Sequence, residues 1–126
     1  MKVITAEQKQ QLIKNGSPGE RSKDHFPVVK LFMPGLPHTW LLTELDPEEP
    51  TVAFGLCDLG MGFPEQGYVD LDEISSVRGP FGYVERDDGF VSKYPLSVYV
   101  AAASEMGVIT EQDVVLSRHV KPSPKP

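Results

Sequence analysis

Glu44, Asp46, Glu85 and Asp87 are the residues of this sequence with the strongest claim to catalysis. In TWLLTELD (39–46), strand alternation puts Trp40, Leu42, Glu44 and Asp46 on one face and Leu41, Thr43 and Leu45 on the other. In YVERD (83–87) the same alternation puts Glu85 and Asp87 on one face and Arg86 on the opposite one. If the two strands were neighbours, two carboxylate pairs would meet beside an aromatic ring. One carboxyl could then serve as general acid and another as base or nucleophile, as glycoside hydrolysis requires. The same residues also have a structural reading. Arg78 and Arg86 would pair with these acids across the sheet and fix the turns, and such ion-pair networks imitate active sites.

Other chemistries find little support. Cys57 sits within the apolar run TVAFGLCDL (51–59), and His25, His38 and His119 are scattered, so a buried structural cysteine is expected rather than a Cys–His nucleophile. No serine lies in a G-x-S-x-G elbow. C-x-x-C, H-x-x-x-H and H-E-x-x-H spacings are absent, and DLDE (70–73) lacks the loop of an EF-hand, so no metal is expected. GMGFP (60–64) and RGPFG (78–82) carry glycines but no P-loop lysine. No cofactor is expected.

The charge pattern points elsewhere. The net charge of the 126 residues is −6, and no Lys or Arg occurs from Leu31 to Val77. That window holds Glu44, Asp46, Glu48, Glu49, Asp58, Glu65, Asp70, Asp72 and Glu73, half of all the carboxylates. It would repel a phosphate backbone, which disfavours direct nucleic-acid binding, and it would attract a basic protein surface. The expected binding residues are Trp40 as aromatic anchor with Glu44, Asp46, Asp58, Glu65, Arg78, Glu85 and Arg86. The plain alternative is a solvated acidic face that aids solubility. No apolar run approaches the length of a membrane span, and MKVITAEQKQQ has no signal-peptide core, so a cytoplasmic protein is expected. A single cysteine allows no disulfide framework.

The elements that must position these residues follow from local signals. Thr5 and Gln8 have capping-box spacing for a short helix over 4–15, which Gly16 closes. VVKLFM (28–33), TWLLTELD, TVAFGLCDL, GYVDL (67–71) and YVERD read as strands joined by short turns. LDEISSVR (71–78) reads as a short helix with Ile74 and Val77 facing inward, Gly79 at C′ and Pro80 as a stop. LSVYVAAASEM (96–106) has helical spacing, with Gly107 after it, while 109–120 is either a helix or a turn and strand. The expected fold is therefore α+β. It has an antiparallel β-sheet meander of about five strands, a short N-terminal helix, a short helix before the Arg78-Gly79-Pro80 turn and a C-terminal helix. Residues 1–120 are expected to form a single domain and 121–126 a disordered Pro/Lys tail.

The opening ITAEQKQQL, then TWLLTELD, AFGLCDLG (53–60), GYVDLDEISSVRGPFG (67–82) and VERD (84–87), occur here in one order. In this order they resemble the bacterial family of domain of unknown function number twenty-nine fifty-eight, over most of residues 4–94. The resemblance implies a compact α+β domain carried on plasmids and integrative elements, and it supplies no activity. Residues beyond about 95 fall outside it. The leading expectation is a small protein-interaction module, a monomer or homodimer, with an accessory or anti-defence role and a basic protein partner. The rival is a small acid/base hydrolase using Glu44, Asp46, Glu85 and Asp87.

Overall fold

In the computed structural model, which describes residues 3–121, the five strand runs form one antiparallel sheet. β1 (Val29–Met33), β2 (His38–Leu45), β3 (Val52–Asp58) and β4 (Glu65–Asp70) follow one another as a meander. β5 (Glu85–Arg86) returns to the free side of β1, so the order is β4-β3-β2-β1-β5. With α1 (Ala6–Asn15), α2 (Leu71–Ser76), α3 (Leu96–Met106) and α4 (Asp113–Leu116), the fold is α+β as expected. Of the expected tail, residues 122–126 lie outside the described residues.

The sheet has a core on each face. On one, Val29, Leu31 and Met33 of β1 join Trp40, Leu42 and Leu45 of β2 beneath Leu12 of α1 and Leu71 of α2. On the other, Leu41 of β2 and Leu56 of β3 meet Leu96, Tyr99 and Ala103 of α3 and Val115 and Leu116 of α4. Helices over both faces explain why β2 is buried at five of its eight positions, including four in a row.

Local capping sets the helix ends. Thr5 and Gln8 form the reciprocal capping box of α1, with bonds of 3.0 and 2.9 Å. Gly16 does close α1, but in a right-handed conformation (φ −85°). Its lack of a side chain matters for another reason: a Cβ there would stand 2.0 Å from the Leu45 carbonyl oxygen. α3 has no N-cap side chain of its own. Asp24, from the loop before β1, accepts the Ser97 backbone N–H at 3.0 Å instead. Gly107 ends α3 in the left-handed region, at φ 75°.

The strict alternation expected for β2 fails at Thr43. Leu42 pairs with Gly55, but the next pair is Glu44 with Phe54, so Thr43 is the extra residue of a β-bulge. The bulge is held from both sides. Asn15, at the end of α1, donates its Nδ2 to the Thr43 carbonyl at 2.9 Å, and Gln11 donates to Asn15 Oδ1 at 2.8 Å. Gly55 lets the backbones approach: a Cβ there would lie 2.0 Å from the Leu41 oxygen and 2.8 Å from Leu42 Cα. The slip moves Leu45 onto the face of Trp40 and Leu42, and it moves Glu44 onto the face of Leu41.

Two further expectations are corrected. α2 ends at Ser76, not beside Gly79: Val77 is already extended (φ −83°, ψ 125°) and is 53 % exposed rather than inward. Gly79 instead turns with Gly82, whose carbonyl accepts the Gly79 N–H at 2.7 Å. In the ambiguous 109–120 segment no strand forms: after an extended lead-in it is helical from Asp113, α4 followed by one 3₁₀ turn over Ser117–His119.

Gly55→Ala is expected to destabilise the fold by about 3 kcal/mol, because the clash is with backbone that cannot step aside. Asn15→Ala is expected to cost about 2 kcal/mol by leaving the buried Thr43 carbonyl without a partner. Urea unfolding followed by circular dichroism measures both, and a midpoint unchanged from the parent in either would contradict this account of the bulge.

Candidate functional site

The bulge decides where the expected acids go. Glu44 faces Phe54, and Phe54 faces Tyr68 on β4, so these three side chains share one face across three strands. Phe54 and Tyr68 pack as tilted rings with centroids 5.1 Å apart. With Asp46 from the β2–β3 turn and Arg21 from the loop after α1, they line a cavity of about 80 Å³. Burial pushes the Glu44 carboxyl above its ordinary range, while His25 and Arg21 pull it partly back.

This space has room for no more than a few water molecules, well below the roughly 300 Å³ at which small-molecule pockets begin. The arrangement can bind a cation or a basic side chain at its mouth, where Tyr68 is 76 % exposed. Trp40 is absent from it. Trp40 lies on the opposite face, paired with Leu31 and Cys57, and is 5 % exposed. It is a core residue and cannot anchor a partner. Strict alternation concealed this, because the bulge reverses the faces after Leu42.

The second carboxylate pair is elsewhere. Glu85 and Asp87 do share a face, and Arg86 points to the other, but β1 stands between β5 and β2. Acids on β2 and β5 are therefore two strand spacings apart, roughly 9–10 Å before any offset along the strands. The structure does not bring the four together. Asp87 has a cation of its own, Lys30 of β1, at 3.2 Å, and Lys30 also bonds Glu111 ahead of α4. Burial lowers the Lys30 pKa, but the bonds to Glu111 and Asp87 outweigh it and leave the ammonium above its ordinary range. Arg86 pairs with Asp88 at 2.6 Å and donates to the Val3 carbonyl. Arg78 is exposed and makes no ion pair among the described residues. The expected arginine network is thus replaced by a lysine bridge.

Asp58 also leaves the binding set. It is 5 % exposed, and its carboxylate accepts the Gly60 N–H at 2.9 Å and the Ile109 N–H at 3.0 Å. It ties the end of β3 to the chain leaving α3. Cys57 is half-buried, and burial raises its thiol pKa, which makes it a poor nucleophile. No group of three His, Cys, Asp or Glu suited to a metal occurs among the described residues.

What the structure does assemble is a polarised edge. At the C-terminal end of β4, the Leu71 N–H donates to the Thr51 carbonyl at 2.8 Å, joining the β2–β3 turn to the start of α2. The β2–β3 turn, which carries Asp46, Glu48 and Glu49, thereby meets the segment of Asp70, Asp72 and Glu73 around a cavity of about 380 Å³ that Lys9 of α1 also lines. Asp70 caps α2 through the N–H groups of Asp72 and Glu73. None of the six is in an ion pair among the described residues. At the other end, Leu59, Met61 and Phe63 stand exposed beside Cys57 and Glu65 around a groove of about 260 Å³. Tyr68, Arg21 and Lys30 were missed in the sequence. The strand period hints at Tyr68, but nothing local marks the other two.

A family model described as "Protein of unknown function (DUF2958)" matches residues 3–110. The match reaches past α3, further than the motifs that end at residue 87. No curated protein and no solved structure matches the chain.

Glu44 yields a signed pH test. Its folded pKa is raised, so the ionised form is disfavoured by folding: the penalty is present at neutral pH and disappears once pH falls below the unfolded value of about 4.3. Glu44→Gln is expected to raise the melting temperature at pH 7 and to leave it unchanged below about pH 4. Destabilisation at pH 7 would show that the carboxylate has a strong cationic partner instead.

Proposed function

The chain belongs to the DUF2958 family over residues 3–110, a membership that names no activity, and we propose from the placement of its charges that it is a small protein-interaction module that docks a basic surface of a partner protein. The observation that carries this reading is the set Asp46, Glu48, Glu49, Asp70, Asp72 and Glu73 at one end of the sheet, none in an ion pair among the described residues. Charges left without internal partners steer an oppositely charged surface and set its register. Tyr68, exposed and backed by Phe54, takes the aromatic role expected of Trp40. In the mobile-element setting that the motif resemblance implies, the module has an accessory or anti-defence role. Its acidic surface occupies a nucleic-acid-binding site on a host protein.

Capture from a bacterial lysate tests it. At low salt the protein is expected to retain basic, nucleic-acid-binding proteins and to release them at about 0.5 M salt, where screening acts within a few ångströms. A variant combining Asp46→Asn, Glu48→Gln, Glu49→Gln, Asp72→Asn and Glu73→Gln is expected to retain none. Equal recovery by the variant, or no basic protein at low salt, overturns the reading.

A further inference from the structure

We propose that β4 is a docking edge, and that the basic partner adds an extended segment of alternating cationic and aliphatic residues beside it as a sixth strand. This deepens the proposed docking function and rests on it.

Edge strands are ordinarily blunted by shortness, proline, lysine or a bulge. β5, at the other edge, has two residues. β4 has six, EQGYVD, with no Pro, Lys or Arg, and it pairs with β3 in unbroken register from Val52–Asp70 to Cys57–Glu65. Its outer hydrogen-bonding groups can be assigned. Leu71 N–H donates to Thr51, so Val69, Gly67 and Glu65 continue the bonds to β3, and antiparallel alternation turns the N–H and C=O groups of Gln66 and Tyr68 outward. Those four groups are the template for an added strand.

The two faces beside this edge differ, and the difference specifies the occupant. On the face of Cys57 and Glu65 lies the apolar groove of Leu59, Met61 and Phe63, Phe63 being 81 % exposed. On the face of Tyr68 lie Glu44 and Asp46, with Asp70 at the strand end. A strand alternates its side chains between faces, so one set would be aliphatic and the other Arg or Lys, stacking on Tyr68 and meeting the acids. A second copy of this chain fits poorly. Self-pairing through the outward groups would set Gln66 opposite Tyr68 and join two acid-bearing faces to which β4 brings no cation, between molecules that each carry a net charge of −6.

The probe is a synthetic peptide of about ten residues alternating arginine and valine, with a control of the same length carrying a central proline. Binding is followed by fluorescence anisotropy at low salt, and amide exchange by NMR. The alternating peptide is expected to bind and to slow exchange at Gln66 and Tyr68, and the control to do neither. Gln66→Pro removes one outward N–H without touching the β3 ladder, and is expected to weaken binding about tenfold. If Gln66→Pro binds like the parent, or if the two amides gain no protection in the parent protein, strand addition is overturned while acidic docking stands. If the fivefold acid-to-amide variant also binds normally, the docking function itself fails. A dimer by light scattering with both amides already protected would assign the edge to a second copy and overturn the proposal. The exchange measurement uses the unaltered chain and does not depend on the variant folding.

Discussion

The hydrogen bond from Asn15 to the Thr43 carbonyl joins the two features on which the arrangement depends. One is the extra residue in β2, and the other is the end of α1. A bulged residue leaves a backbone carbonyl outside the regular ladder, and a buried carbonyl without a partner is costly. Asn15 supplies the partner, Gln11 holds Asn15, and Gly16 permits the chain to pass against Leu45. On the other side, Gly55 makes room for the close approach of β2. Because the side-chain period of a strand is two, one extra residue is enough to send Leu45 into the core under α1 and Glu44 to the opposite face.

From that slip comes the division of labour between the two sheet faces. Trp40 is committed to packing, and the polar end of β2 is delivered to Phe54, Tyr68 and Arg21. Distant ties then close the second face over β2 and β3. Asp24 caps α3, Asp58 holds the chain leaving it, and Lys30 links β1 to Asp87 and to Glu111. These charged groups are spent on structure. Among the described residues the acids ahead of β3 and at the end of β4 are in no ion pair; Asp70 caps α2, and the others leave their charge to solvent.

The meander also converts a pattern in sequence into a pattern in space. The Lys/Arg-free window spans most of β1 and all of β2, β3, β4 and α2, so its acids concentrate where the turns after β2 and β4 come together. Among the acids of the window, Asp58 is buried between two backbone N–H groups and takes no part in that concentration. Glu65 stays at the opposite end, beside exposed apolar side chains, and β4 runs uncovered between the two chemistries.

Whatever depends on near neighbours is legible in the chain alone. Alternation marked the five strands, Thr5 and Gln8 marked the start of α1, Gly107 marked the end of α3, and the ordered motifs marked the family. A strand's period and a cap's spacing involve residues two to four apart, so they are legible in one dimension. Tertiary structure alone decided the bulge, the burial of Trp40, the lysine partner of Asp87 and the placement of β1 between the two acid-bearing strands. Asn15 reaches Thr43 across 28 residues, Asp24 reaches Ser97 across 73, and Lys30 reaches Glu111 across 81. Contacts at such separations are set by which strands lie side by side and how their backbones fit, and no local period carries that information.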